Sequence, residues 1–484
     1  MVELRRELGL KEVVATVVTN VIGVGLFIST VQIQSKVDIG SGVILAFIIA
    51  AIPTILIALS YSVLATIFPS SGGEYVFISR ILDPYLGFIA TWSRWFAMIA
   101  TIAAMSVGDL ILIQGFFSMA GMSKVSSFIG SHMEIIAVGL VLLFLMVNYV
   151  GVKVYGKVQT GMFILLIVGM ALLIIFGLPH VNLNNISYSW KWDFSNLAKA
   201  TSLIFFSYIG FATIVNAAGE VKNPEKNLPR GILISTIAIA ILYVLVATVT
   251  YGSISPSRYS SYDFSSGSVP DIMASLFPPI VALYVSFAGA ISIISDINPA
   301  MLATSRLTFA WAEDRIVPEK LAELNRFRVP KWTLIINAIV AITIIALAKE
   351  FMSVVMMINI AILIVYILVC ISALVLPYKH PDIYKKATFR FRGLWIVSLA
   401  GAFSSAALLG YLLNLPGAMS GYLFLLFWCA VGTIIYVLTL ESHKMYWRLE
   451  KQRRKEKEEA DKELIKDLIK AVKDQIIGGE EDGK

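Results

Sequence analysis

The sequence predicts an all-α, polytopic membrane protein with about 12 transmembrane helices. Of its 484 residues, 58% are hydrophobic and only 15% are charged, a composition outside the range of soluble globular domains. The apolar runs are roughly 17 to 30 residues long, enough for a helix to cross a hydrocarbon core of about 30 Å. Lysine and arginine collect in alternate loops, in a ratio of about twenty to six. This bias is the positive-inside pattern of membrane proteins.

Taken in order, the apolar runs define the predicted helices. They cover residues 13–33, 43–67, 86–117, 132–150, 156–178, 197–221, 231–252, 279–309, 332–348, 352–376, 394–414 and 421–440. A charged N-terminal segment, residues 1–12, precedes this transmembrane domain of residues 13–440, and a charged tail, residues 441–484, follows it. Because the basic loops should face inward, we expect both termini in the cytoplasm and the domain in a cell membrane, plasma or inner.

The same composition argues against several other classes of protein. The net charge of +7 follows from the basic loops, so we expect no nucleic-acid partner. Cys370 and Cys429 both lie inside apolar runs, which favours neither a disulfide framework nor a metal site. His, Cys and carboxylate side chains do not converge at one depth, so we expect a protein that is not an enzyme and needs no cofactor.

Residues 19–27 interrupt the first apolar run. Gly23 and Gly25 stand one residue apart among β-branched neighbours and allow the chain to unwind in mid-membrane. Freed backbone groups are tolerated at this depth only where a cavity or ligand satisfies them. The break is therefore a candidate binding site.

A second break, residues 205–213, interrupts the sixth run around Gly210. Either glycine motif alone is typical of close helix packing. Two breaks in corresponding helices that run in opposite directions favour an inverted-repeat transporter instead. On this interpretation, residues 13–178 form the first repeat, 197–376 the second, and 394–440 two extra helices.

Five motifs resemble those of the amino acid-polyamine-organocation (APC) transporter superfamily, over most of the chain up to about Leu440. They are IGVGLF at 22–27, SGGEY at 71–75, GVK at 151–153 with KVQ at 157–159, residues 220–229, and TSR at 304–306 with Asp314 and Pro318. The resemblance implies a LeuT-like five-plus-five inverted repeat with two extra helices. It also implies uptake or exchange of amino acids or related amines.

The predicted substrate site combines backbone groups and side chains. The amides of Gly23, Val24 and Gly25 begin a half-helix, where a carboxylate is favoured. Carbonyls at Ile22, Phe206, Ser207 and Ile209 would accept hydrogen bonds from an α-ammonium, as in the superfamily. The resemblance also places a side-chain pocket at Met98, Ile102, Met105, Phe206, Phe211, Asp296 and Ala300. The spacing of Met98, Ile102 and Met105 also fits ordinary helix packing.

Asp109 and Asp296 are the two carboxylates expected well inside apolar runs, and such charges are costly enough to suggest a function. We expect Asp109 near the interface. Asp296 could carry a proton, pair with a cationic substrate, or serve a structural role. A sodium site could use Ala288 and Ser292, but Ile291 stands where a second hydroxyl would be needed. The sequence therefore favours a proton over sodium as the coupling ion.

The predicted function is secondary active transport of amino acids across the lipid bilayer by alternating access. Apolar pocket residues favour neutral amino acids, moved by proton symport or by exchange. A polyamine or cationic amino acid carrier is one alternative, which Asp296 would suit. A non-transporting amino acid sensor is a second alternative.

Overall fold

A computed structural model describes residues 4–23, 25–191, 193–265, 268–347, 351–414 and 419–445. Val24 and residues 446–484 of the predicted tail lie outside the described residues, as does the side chain of Asp109. Within the described ranges the regular structure is entirely helical. The predicted all-α, polytopic class is confirmed.

Nineteen helices follow one another along the described chain. The first repeat predicted from the sequence contains α1 (Leu10–Val21), α2 (Thr30–Lys36), α3 (Val43–Ile67), α4 (Gly73–Ile81), α5 (Pro84–Met119), α6 (Ser123–Ser131), α7 (Met133–Tyr149) and α8 (Val152–Gly177). The middle of the chain contains α9 (Leu183–Ser189), α10 (Phe194–Phe205), α11 (Pro224–Ser253), α12 (Pro256–Ser261), α13 (Val269–Ala274) and α14 (Pro279–Glu313). The last part contains α15 (Lys331–Leu347), α16 (Phe351–Lys379), α17 (Pro381–Lys385), α18 (Leu394–Leu413) and α19 (Met419–Met445).

The helices account for all of the predicted apolar runs. Among the described residues, nine helices are long and apolar enough to cross a membrane, and two bent pairs bring the number to 11. The bent pairs are Leu10–Val21 with Gly25–Lys36, at 41°, and Ser123–Ser131 with Met133–Tyr149, at 85°. The remaining run, 332–348, corresponds to the shorter apolar helix α15.

Packing brings both predicted breaks to the centre of the bundle. Helix α14 packs along α5 and α8, α11 packs along α3 and α1, and the turns at the two breaks touch each other. Large apolar side chains such as Ile135, Phe403 and Leu438 are exposed on the outside of the bundle. A bilayer would cover that surface, because lipid is as apolar as these side chains.

A buried ion pair lies at the end of the bundle that the loop charges predict to be cytoplasmic. Arg306 donates to both carboxylate oxygens of Glu220 at 2.7 Å, and neither side chain is exposed to solvent. The amides of Glu7 and Leu8 donate to the Glu220 carbonyl at 2.9 and 3.0 Å, which ties the N-terminal segment to the same place. Glu220 stands at the end of the predicted run 197–221, so a search for carboxylates well inside apolar runs overlooks it.

Candidate functional site

The first break separates α1 from α2 by a short unwound stretch and a wide helical turn. Helix α1 ends at Val21, Ile22 is extended, and Gly25–Ser29 forms a π-helical turn that leads into α2. The amides of Leu26 and Phe27 donate to the Gly23 carbonyl at 3.1 and 3.3 Å. The second half of the helix therefore starts at the break.

The second break is longer. Helix α10 ends at Phe205, a turn follows at Phe206–Tyr208, Ile209 is extended, and Gly210 has a φ of +119°. Two more short turns, Thr213–Asn216 and Ala218–Glu220, precede α11. The left-handed φ at Gly210 is one that residues with a side chain rarely adopt.

The two breaks are held together by close contacts and a shared hydroxyl. A Cβ added to Gly25 would lie 2.5 Å from the Cβ of Ser207, and one added to Gly210 would collide with the Asn20 carbonyl. The Tyr243 hydroxyl lies 2.7 Å from the Val21 carbonyl and 2.9 Å from the Ser207 carbonyl, and can donate to either. In a continuous helix those carbonyls would accept from the amides of Gly25 and Phe211. One hydroxyl of α11 therefore lies within donating distance of a carbonyl freed by each break.

A cavity of about 260 Å³ lies between the breaks. Nine residues of the predicted site line it: Gly23, Gly25, Met98, Met105, Phe206, Ser207, Ile209, Asp296 and Ala300. Ile22, Ile102 and Phe211 are buried away from it. The ring of Phe211 packs on Tyr61 and Tyr366, with centroids 5.8 and 5.4 Å apart. Val24 is outside the described residues.

Polar side chains give the cavity its chemical character. Asp296 lines it beside the first break, where a Cβ on Gly23 would lie 3.1 Å from the Oδ2 of Asp296. Asp296 Oδ1 and Asn20 Oδ1 are both buried and have no hydrogen-bond partner within the described chain. Such oxygens are expensive to bury unless a donor reaches them. Two acceptor oxygens without a donor are suited to a ligand ammonium.

At the predicted cytoplasmic end of the cavity lies a buried ion pair. Arg94 lines the cavity, and its Nε is 3.6 Å from Oε2 of Glu74. Tyr61 donates to the other oxygen of Glu74 at 3.0 Å. Both charged side chains are almost completely buried. Glu74 therefore balances Arg94, and Asp296 is left as the carboxylate beside the breaks.

Close to Asp296, a network of buried amide side chains links four helices, α1, α7, α8 and α14. Gln159 of α8 donates to the Thr19 hydroxyl and, at 3.0 Å, to the Ser295 carbonyl. Asn298 donates to Gln159 at 2.7 Å, and Asn148 donates to Asn298 at 2.8 Å. All five side chains are buried. The network thus joins the residue before Asp296 to the last turn of α1.

The two weak sodium candidates lie outside the cavity lining. Ala288 and Ser292 are completely buried, and the Ser292 hydroxyl donates to the Gly289 carbonyl at 2.6 Å. That hydroxyl is held by its own helix.

Sequence reasoning did not place Asn20, Thr213, Arg94 or Asn359 in the lining, although the structure does. Asn20 and Thr213 stand inside the motifs that mark the breaks. Side chains in unwound segments follow no helical period, so the sequence pattern gives no direction for them. Arg94 is a charged residue inside the predicted run 86–117, and this rarity is a signal that could have identified it as a lining residue.

Comparison with known proteins places the chain among carriers. A family described as amino acid permease matches residues 8–438. The branched-chain amino acid permease BcaP of Bacillus subtilis (strain 168) is 27% identical over 461 residues, which are 91% of this chain and 94% of the relative. The methylthioribose transporter of the same organism is 27% identical over 434 residues, with 88% and 91% covered.

A more distant match extends the range of named substrates. The vacuolar cationic amino acid transporter 4 of Arabidopsis thaliana is 26% identical over 405 residues, which are 78% of this chain and 64% of the relative. These relatives are named for branched-chain amino acids, for methylthioribose and for cationic amino acids. Their overall similarity to this chain therefore does not separate neutral from cationic substrates.

Proposed function

The chain belongs to the amino acid permease family, and we propose that it carries neutral amino acids across a cell membrane by alternating access. Membership of this family supports amino acid transport by a carrier, which is not an enzyme. It gives no support to the sensor alternative. The cavity between the two breaks is the proposed substrate site.

The observation that carries this proposal is the pairing of unsatisfied polar groups with apolar walls. Asn20 Oδ1 and Asp296 Oδ1 are acceptors without partners among the described residues, which suits the ammonium end of an amino acid. Met98, Met105 and Phe206 supply apolar wall, and each buried methylene of a substrate contributes about 0.8 kcal/mol. The cavity is smaller than the roughly 300–1,000 Å³ of pockets that hold drug-sized ligands.

The inverted repeat is part of the same proposal. The break in α1–α2 and the break after α10 occupy the first helix of each predicted repeat, residues 13–178 and 197–376. Their contact at one cavity supports a pseudo-symmetric pair of repeats. The loop charges support cytoplasmic termini.

Competition of uptake in proteoliposomes tests the substrate class. We expect leucine and alanine to inhibit uptake of a labelled neutral amino acid more strongly than arginine, lysine or putrescine. Cationic competitors lose their hydration in the cavity, and among the described residues at most one carboxylate, Asp296, is there to offset that cost. Empty liposomes are the control. Stronger inhibition by arginine or putrescine would support the second candidate, a cationic carrier, for which Asp296 beside the cavity is the favourable observation.

Asp296 is the proposed proton-linked group, because it reaches both the cavity and the first break. As solvent access alternates, its protonation could change between the two sides of the membrane. Asparagine keeps an acceptor oxygen at this position but cannot take up or release a proton. Asp296→Asn should therefore keep substrate binding and exchange but lose accumulation driven by a pH gradient. Ser286→Ala on the same helix as Asp296 is the control. Equal gradient-driven accumulation in Asp296→Asn and the parent would leave Asp296 with a structural role.

A further inference from the structure

A second cavity, separate from the transport site, lies where α16 ends and α18 begins. It is a groove of about 480 Å³ with Tyr384 and Phe391 in its wall, Arg390 and Arg392 on its polar side, and Tyr378 and Trp395 at its margin. We propose that this groove binds the phosphate headgroup of an anionic phospholipid, with the acyl chains lying along α18.

The groove is a folded structure and not an open stretch of loop. The Tyr384 hydroxyl donates to the Phe391 carbonyl at 3.3 Å, and Nη1 of Arg390 donates to the Lys385 carbonyl at 2.9 Å. The Thr388 hydroxyl donates to the Glu225 carbonyl at 2.9 Å, which ties the segment to the start of α11. These bonds position the Arg390 guanidinium and hold the backbone on either side of it before any ligand arrives, so less ordering is needed on binding.

The local charges leave the groove strongly positive. Between residues 379 and 393 the chain has five lysines and arginines and one acidic residue, Asp382. Lys379 is occupied, because it donates to the carbonyls of Ile81 and Leu82 at 2.8 and 3.2 Å. Lys385 lies 3.9 Å from Asp382.

Arg390 and Arg392 therefore carry the positive charge of the groove. Both are exposed, and neither forms an ion pair with a carboxylate in the described ranges. A guanidinium presents paired donors that match two phosphate oxygens. The groove is thus complementary to a phosphate group.

The surface next to the arginines favours a lipid over a soluble phosphate. Trp395, Ile396, Leu399 and Phe403 are all exposed, and Phe403 is 75% exposed. Their spacing puts them on one side of α18, so they form an apolar ridge that starts at the groove. Because α18 is long and apolar enough to cross the membrane, this ridge would face acyl chains. Trp395 would then lie at the interface, where tryptophan is enriched.

Native mass spectrometry of the full-length protein tests the proposal. The detergent-solubilised protein is titrated with phosphatidylglycerol, with phosphatidylcholine, and with glycerol 3-phosphate as the soluble headgroup. We expect phosphatidylglycerol to bind above the phosphatidylcholine background. In the double variant Arg390→Gln/Arg392→Gln its affinity should fall by about 25-fold, since each arginine contributes about fivefold at an anionic surface.

The double variant Lys222→Gln/Lys226→Gln is the matched control, because it removes two charges from the same predicted face outside the groove. Equal loss of binding in this control, or equal binding of phosphatidylcholine, would overturn the proposal. Competition by glycerol 3-phosphate at the same concentration would indicate a soluble anion site instead and would also overturn it. Phe403→Ser keeps every charge, so it remains informative if the arginine variant does not fold. Unchanged phosphatidylglycerol affinity in Phe403→Ser would contradict the role of the ridge.

Discussion

The two breaks meet at one cavity but present different ends of helices to it. At the first break, the chain offers the C-terminal end of α1 and, after Ile22 and Gly23, the start of a new helical segment at Gly25. At the second break, α10 ends at Phe205 and no α-helix resumes until Pro224. The first break therefore has both a positive and a negative helix end, whereas the second has only a negative one.

Because of this difference, the two breaks would make different contacts in the proposed binding of an amino acid. A carboxylate is favoured by a helix N-terminus, which only the first break provides. An ammonium is favoured by helix C-terminal carbonyls and by acceptors such as Asn20 and Asp296. The second break instead continues as short turns as far as Glu220, whose buried side chain forms an ion pair with Arg306. In the proposed site, the first break would therefore offer helix ends of both signs, and the second break would add the carbonyls that line the cavity and connect it to Glu220.

The largest effect should come from filling the contact between the breaks. A Cβ on Gly25 would lie 2.5 Å from Ser207 Cβ and 2.6 Å from its Oγ, closer than packed carbons allow. Gly25→Val must therefore move one break away from the other. Overpacking costs about 1–3 kcal/mol, so we expect substrate affinity to fall by about 5- to 150-fold. Equilibrium binding of labelled leucine to purified, monodisperse protein measures this.

Gly161→Val is the control for the Gly25 variant. It is the same substitution in the intact helix α8, at a site where an added Cβ meets nothing within 4 Å. We expect Gly161→Val to bind leucine with the same affinity as the parent protein. Unchanged affinity in a well-folded Gly25→Val protein would place the substrate elsewhere.

A smaller effect should follow from removing the hydroxyl shared by the breaks. Tyr243→Phe leaves the Val21 and Ser207 carbonyls without their present donor. An unsatisfied buried group costs about 1–3 kcal/mol, and we expect affinity to fall by about 10-fold. Tyr251→Phe is the comparison, because Tyr251 lies on the same helix and its hydroxyl donates at 2.9 Å to the carbonyl of Thr30, which begins α2 and does not line the cavity.

Thermal unfolding and leucine binding, measured together, distinguish these two tyrosines. Both variants should lower the unfolding temperature. Tyr243→Phe removes the hydroxyl that donates to Val21 or Ser207, and Tyr251→Phe removes one that donates to Thr30 and accepts from Gln34. Only Tyr243→Phe should also weaken binding. Equal affinity in the two variants would mean that the breaks keep their geometry without the shared hydroxyl.

The two breaks also show which features of this fold could be predicted from the sequence and which could not. The apolar runs predicted every long helix, because hydropathy and length alone identify a spanning helix. The position of each break was predictable from Gly23, Gly25 and Gly210. The extent of the second break was not, since the predicted run 197–221 contains enough apolar residues to continue as a helix. Its unwinding depends on Gly210 packing against the Asn20 carbonyl, a contact with a distant part of the chain.

The site could be predicted only in part, for a related reason. Backbone positions at the breaks follow from the glycines, and Asp296 follows from its rarity as a charge in an apolar run. Phe211 belongs to the same motif as Phe206 but turns toward Tyr61 and Tyr366. The pairing of Arg94 with Glu74 depends on how the short helix α4 folds against α5. Local sequence spacing encodes neither the orientation of the Phe211 ring nor the pairing of Arg94 with Glu74.

The smallest effect should come from the amide network, which touches the first break and not the second. Gln159 holds Thr19 near the end of α1 and the Ser295 carbonyl beside Asp296, so Gln159→Leu should loosen Asp296 without removing any lining residue. A single hydrogen bond contributes about 0.5–1.5 kcal/mol, and we expect gradient-driven accumulation to fall by about 2- to 10-fold while leucine binding stays unchanged. Gln34→Leu is the control, because Gln34 binds Gly40 and Tyr251, none of which lines the cavity, and it should leave the response to a pH gradient intact. If Gln159→Leu weakens binding and accumulation equally, the network supports the whole cavity and has no separate role at Asp296.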